Sequence, residues 1–65
     1  MVVQSRVAEY INRIGIKQAA ICRKTGINPK RMSGILTGAL KMTADEYEKI
    51  CKAIEMSPND FMEAG

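Results

Sequence analysis

The chain has no histidine and no tryptophan, and its 65 residues include one phenylalanine, two tyrosines and two cysteines. Each shortage removes a class of chemistry. Without an imidazole, Ser-His-Asp and Cys-His nucleophilic systems have no base. Cys22 and Cys51, 29 positions apart, are too few for a disulfide framework and cannot complete an ordinary zinc site. Neither belongs to a CxxC motif, so both are expected as small core residues and not as a redox pair. The phosphate-cradling patterns GxGxxG and GxxxxGK[ST] are absent. No apolar run approaches the roughly 20 residues of a membrane helix, and the start Met1-Val2-Val3-Gln4-Ser5 lacks the pattern of a secretory signal. The expectation is a reduced, cytoplasmic protein that is not an enzyme and holds no metal or cofactor. At this length residues 1–65 form one domain, burying about 60% of the surface its unfolded chain exposes.

Acidic residues are also missing from most of the chain. Between Tyr10 and Ala44 stand Arg13, Lys17, Arg23, Lys24, Lys30, Arg31 and Lys41, with no aspartate or glutamate. From Asp45 to Gly65, six acids face two lysines. The net charge of +3 therefore conceals a basic part and an acidic part. Such segregation points to a polyanionic partner on the basic side.

What is present is helical periodicity, with no alternating β pattern. Val3, Val7, Ile11 and Ile14 recur as one apolar stripe, with Ser5, Gln4 or an earlier residue as its cap and Gly15 as its stop. A second helix runs from about Lys17 to Lys24, with Ile21 and Cys22 inward, Thr25 half-buried and Gly26 ending it. The third has Asn28 as N-cap and Pro29 at the first helical position, where a missing N–H costs nothing. Met32, Ile35 and Leu36 form its inward face and Gly38 stops it. Thr43-Ala44-Asp45-Glu46 is a capping box opening a fourth helix with Tyr47, Ile50, Cys51 and Ile54 inward. Ser57-Pro58-Asn59-Asp60 starts a short fifth helix anchored by Phe61 and Met62. Both tyrosines fit amphipathic faces with their hydroxyls reaching water. These helices are too short to stand alone in water, so packing must hold them. The expected fold is all-α, compact and five-helical.

Residues 18–35 carry the most information. Two short helices meet through a turn containing Gly26, followed by inward Ile27, and the small Cys22 lets the third helix cross the second closely. That is the spacing of a helix-turn-helix. The whole constellation, Gln18, Gly26, Ile27, Met32, Ile35, Gly38 and the closing Ile50–Phe61 stretch, resembles the lambda-repressor-like, Cro/XRE-type DNA-binding domains over roughly Val3 to Met62. The resemblance implies a sequence-specific transcriptional regulator, a repressor or Cro-like factor of a phage or mobile element. It also implies a homodimer on double-stranded operator DNA, with the contact between copies expected around Ile54 to Met62. Cys22 stands where the family usually has alanine. Pro29 and Gly34 stand where many members carry base-reading side chains.

Helix geometry assigns the contacts. With Met32, Ile35 and Leu36 inward, Lys30, Ser33, Gly34 and Thr37 lie opposite, and helix 28–37 enters the major groove. Lys30 suits guanine O6 and N7, and Ser33 or Thr37 suit base edges or phosphate. Asn28 and Pro29 begin the helix at the groove, Asn28 as an adenine reader or simply a cap. Gly34 marks either close approach of a DNA edge or plain tolerance. For phosphate, the candidates are Lys17 and Gln18 at the start of helix two, flanking Arg31, and Lys41 in the loop. The resemblance likewise gives Gln18 a phosphate and a bracing role. Arg23 and Lys24 lie further away. The alternative is an antitoxin or protein-interaction module of the same fold, using the acidic helices 44–64.

Overall fold

The computed structural model describes residues 2–62. Five helices follow one another: α1 (Val2–Ile14), α2 (Gln18–Thr25), α3 (Pro29–Thr37), α4 (Ala44–Ala53) and α5 (Pro58–Met62). There is no strand among the described residues, and none of their helices is long and apolar enough to cross a membrane. The all-α, five-helix reading holds. Residues 63–64 of the expected acidic segment lie outside the described part.

The helices close on one core. Val7, Ile21, Met32, Ile35, Ile50 and Cys51 are almost wholly shielded from solvent, and Ile11, Cys22, Met42, Ala53, Ile54 and Phe61 complete the cluster. Each fully buried aliphatic side chain of this size contributes about 1.5–3 kcal/mol relative to leaving it in water. α2 packs on α3 and α4, while α1 packs on α3 and α5. Both thiols are free and buried.

Several ends are built as their sequences dictate. The Thr43 hydroxyl accepts the Glu46 N–H at 3.1 Å and the Glu46 carboxylate accepts the Thr43 N–H at 2.9 Å, a complete capping box. Around Ser57, the Asp60 carboxylate accepts the Ser57 N–H and the Ser57 hydroxyl accepts the Asn59 N–H. α4 ends without a glycine. Glu55, at φ 58°, occupies the left-handed position of a Schellman turn, with the Met56 N–H donating to Cys51 O and the Glu55 N–H to Lys52 O.

One open choice is narrowed and three local expectations are corrected. α1 already runs from Val2, so of the three cap alternatives Ser5 and Gln4 lie within the helix and only an earlier residue is left. Ile14 is 45% exposed, and the inward stripe instead takes in Gln4, which the apolar pattern omitted. Met62 is 60% exposed, leaving Phe61 as the anchor of α5. The hydroxyl of half-buried Tyr47 donates its proton to the Pro58 carbonyl and not to water, tying α4 to α5. Tyr10 and Tyr47 both meet Phe61 edge-on.

Candidate nucleic-acid interface

The turn between α2 and α3 is fixed by three local devices. Gly26 adopts φ 76° and its N–H donates to Cys22 O at 2.8 Å, closing α2. The Thr25 hydroxyl donates to Ile21 O at 2.8 Å and accepts the Ile27 N–H at 3.2 Å, so one side chain bridges helix and turn. Asn28 Oδ1 accepts the Lys30 N–H at 2.7 Å, with Pro29 following at the first helical position. α3 is then pinned from beneath by Met32 and Ile35.

On the opposite side, Asn28, Pro29, Lys30, Ser33 and Thr37 are exposed. Lys30, Ser33 and Thr37 form an uncovered polar row at helical spacing, next to the half-buried Leu36. The Thr37 hydroxyl donates to Gly34 O at 3.2 Å and keeps its lone pairs outward. Two of the expected base-facing residues have neighbours that bear on their roles. Gly34 is half-buried and does not present open backbone: a Cβ there would come within 2.5 Å of Leu40 Cδ1 and 2.7 Å of Leu40 Cγ. The loop side chain, not a DNA edge, occupies that space. Asn28 remains exposed, and its Oδ1, which accepts the Lys30 N–H, has a second lone pair, so capping α3 and pairing with an adenine edge are chemically compatible.

Among the phosphate candidates, Lys17 and Gln18 are exposed at the start of α2, where helix geometry leaves the first amides without partners inside the helix. Lys17 has extended backbone, and its carbonyl already accepts the Ala20 N–H at 3.0 Å. Gln18 Nε2 donates to Pro29 O at 3.4 Å, joining the start of α2 to the start of α3. Lys41 is exposed in the loop between α3 and α4.

Arg31 is placed differently from the expectation. Its Nε pairs with Glu46 Oε2, and its Nη2 donates to Glu46 Oε1 at 2.9 Å and to Lys41 O at 3.1 Å. The fork expected to grip a phosphate is turned inward onto the α4 capping box. The Arg31 hydrogen bonds hold the Glu46 carboxyl at about 2, helped by the Thr43 amide and hydroxyl and opposed by burial. The same partnership raises the Arg31 guanidinium further above its ordinary value. Sequence spacing gave no sign of this pair, 15 positions apart, because it depends on how the loop after α3 brings the first turn of α4 within reach of Arg31.

Gln4 is the other residue the pattern missed. It is buried, and its amide reaches three backbone groups around the α3–α4 loop: Nε2 donates to Ile35 O and Leu40 O, each at 2.7 Å, and Oε1 accepts the Met42 N–H at 3.0 Å. The available signal was positional, since Gln4 precedes Val7 and Ile11 by three and seven residues on α1's inward stripe.

A bracketed turn, a short capped helix with one polar face outward, and lysines at the flanks together have the form that enters a major groove. Comparison with known families agrees: the model of the Cro/C1-type HTH DNA-binding domain matches residues 6–64. No curated protein and no solved structure matches the chain.

Proposed function

The chain belongs to the Cro/C1-type helix-turn-helix DNA-binding domain family, and from that premise we propose that it is a sequence-specific transcriptional regulator, acting in the cytoplasm as a homodimeric repressor. Helix 28–37 enters the major groove with Lys30, Ser33 and Thr37 toward the bases and the Asn28–Pro29 corner beside them. Lys17, Gln18 and Lys41 take the backbone. Two subunits set their helices one DNA turn apart, about 34 Å, and exclude polymerase by occupying the site. The observation that carries this reading is the exposed row Lys30, Ser33, Thr37 on the face opposite buried Met32 and Ile35.

In vitro selection of bound duplex followed by footprinting tests it. The expected product is a two-fold symmetric site with half-site centres about ten base pairs apart. A folded Lys30→Ala, Ser33→Ala protein that binds the selected site as tightly as the unchanged chain would overturn the docking face.

A second reading, a protein-interaction module, is favoured by one surface. Val3, Met42, Tyr47, Pro58 and Met62 line an apolar groove between α1, α4 and α5, with Glu48 at its edge. It suits a partner segment that carries an apolar side chain beside a lysine or arginine. A synthetic basic amphipathic peptide that shifts the NMR signals of Tyr47 and Met62 supports this reading; unmoved signals count against it.

A further inference from the structure

The loop from Gly38 to Met42 has no regular structure, yet it carries Lys41 at the edge of the proposed DNA face. An irregular loop of this kind is ordinarily mobile, and a cation on it then loses conformational entropy when it contacts a phosphate. Here the backbone on both sides of Lys41 is held by other elements. The peptide group joining Leu40 to Lys41 is held through Leu40 O, which accepts from Gln4 Nε2 at 2.7 Å. The peptide group joining Lys41 to Met42 is held at both ends: Lys41 O accepts from Arg31 Nη2 at 3.1 Å, and the Met42 N–H donates to Gln4 Oε1 at 3.0 Å. The remaining Gln4 N–H donates to Ile35 O, in the last turn of α3, at 2.7 Å.

Fixing both peptide planes that flank a residue fixes its φ and ψ, and hence the direction in which its side chain leaves the backbone. We propose that Gln4 is a positioning residue for DNA binding: buried on α1 and remote from DNA, it holds Lys41 in register with the last turn of the recognition helix. This rests on the DNA-binding reading above. The side-chain type follows from the chemistry. Two carbonyls need donors and one N–H needs an acceptor, and a neutral primary amide supplies both. Methionine supplies neither. Glutamate keeps the acceptor for Met42 but gives up both donors. Gln4 is 5% exposed, so solvent cannot readily replace the bonds.

The test combines Gln4→Met with Lys41→Ala and uses a random-sequence 24-base-pair duplex as probe, because phosphate contacts do not depend on sequence. Binding is measured at low temperature, where circular dichroism shows each variant folded, across a series of salt concentrations. If Gln4 acts through Lys41, Gln4→Met weakens binding at least about threefold in the unchanged chain and has almost no effect once Lys41 is alanine. It also flattens the salt dependence by nearly as much as Lys41→Ala does. Equal fold-losses in both backgrounds would show a merely structural role and overturn the proposal. Amide hydrogen exchange gives a readout without DNA: Met42 N–H is protected in the unchanged chain and loses protection in Gln4→Met. Unaltered Met42 exchange overturns the clamp even if DNA binds. Failure of the unchanged chain to bind any duplex overturns the DNA reading itself, and the role of Gln4 with it. Should Gln4→Met fail to fold, Gln4→Glu, which keeps the Met42 acceptor, takes its place in the same cycle with the same expected dependence on Lys41.

Discussion

Leu40 occupies the space that a Cβ at Gly34 would need. The loop side chain lies against the bare backbone of α3, and the Leu40 N–H donates to Gly34 O at 3.0 Å. A glycine within a helix costs about 1 kcal/mol relative to alanine, and here that cost accompanies close seating of the loop. With Leu40 replaced by alanine, Gly34→Ala should stabilise the domain by about 1 kcal/mol. With Leu40 present, the leucine must swing away and the gain should shrink by at least about 0.5 kcal/mol. Urea unfolding of the four proteins reads this coupling directly. Strict additivity would mean that Leu40 does not need the gap.

The salt dependence of binding should reflect the Arg31–Glu46 pair. On the proposed docking, with Lys17 and Lys41 as the backbone-contacting cations, a dimer neutralises about four phosphates and the slope of log K against log salt is about −4. Glu46→Gln releases Arg31 toward the backbone and steepens the slope by about 2 for the dimer. An unchanged slope would show that Arg31 never reaches DNA.

Acid should destabilise the domain through Glu46. Its carboxyl lies at about 2 in the folded chain against an ordinary 4.5, so the folded state favours the ionised form. The resulting stabilisation is complete above the unfolded value and is lost as pH falls from about 4.5 toward 2. Urea midpoints measured downward from pH 6 should fall through that window. Glu46→Gln, which keeps an acceptor for Thr43 but has no charge, should flatten the fall.

Alkali should act through Tyr47. Burial, with Cys51 and Asp60 nearby, pushes its phenol from 10.0 to about 12, and burial likewise raises the Cys51 thiol. The folded state therefore favours the protonated phenol, so its contribution is present below pH 10 and is lost as pH rises toward 12. Tyr47→Phe should cost about 1 kcal/mol at neutral pH, because the Pro58 carbonyl loses its donor. It should also weaken the alkaline loss seen in thermal melts.

The elements most legible in the sequence were those whose cause is local. The Asn28–Pro29 start and the Thr43–Glu46 box each act within four residues, and the stripe Met32, Ile35 repeats within one helix. The exposed row on α3 followed from the same periodicity. What stayed hidden depends on partners far along the chain. Gln4 is polar and so broke the apolar pattern, although three bonds to backbone 31 to 38 positions away make its burial favourable. Arg31 read as a free cation because Glu46 meets it only after the chain has turned into α4. Gly34 was left between close DNA approach and plain tolerance because Leu40, further along the chain, meets it only once the loop has turned back. The turn after α4 escaped notice because the expected glycine is absent.

That turn leaves the domain short of its attainable heat resistance. Glu55 is the only described residue other than glycine at positive φ, and an L-residue held there forgoes about 1–2 kcal/mol. Its side chain is exposed and shares a surface hollow with Lys24, Lys49 and Lys52, none of them a residue of α3. A protein engineer seeking a hardier version of this domain can begin at position 55, where glycine or asparagine would relax the backbone while the recognition helix stays untouched.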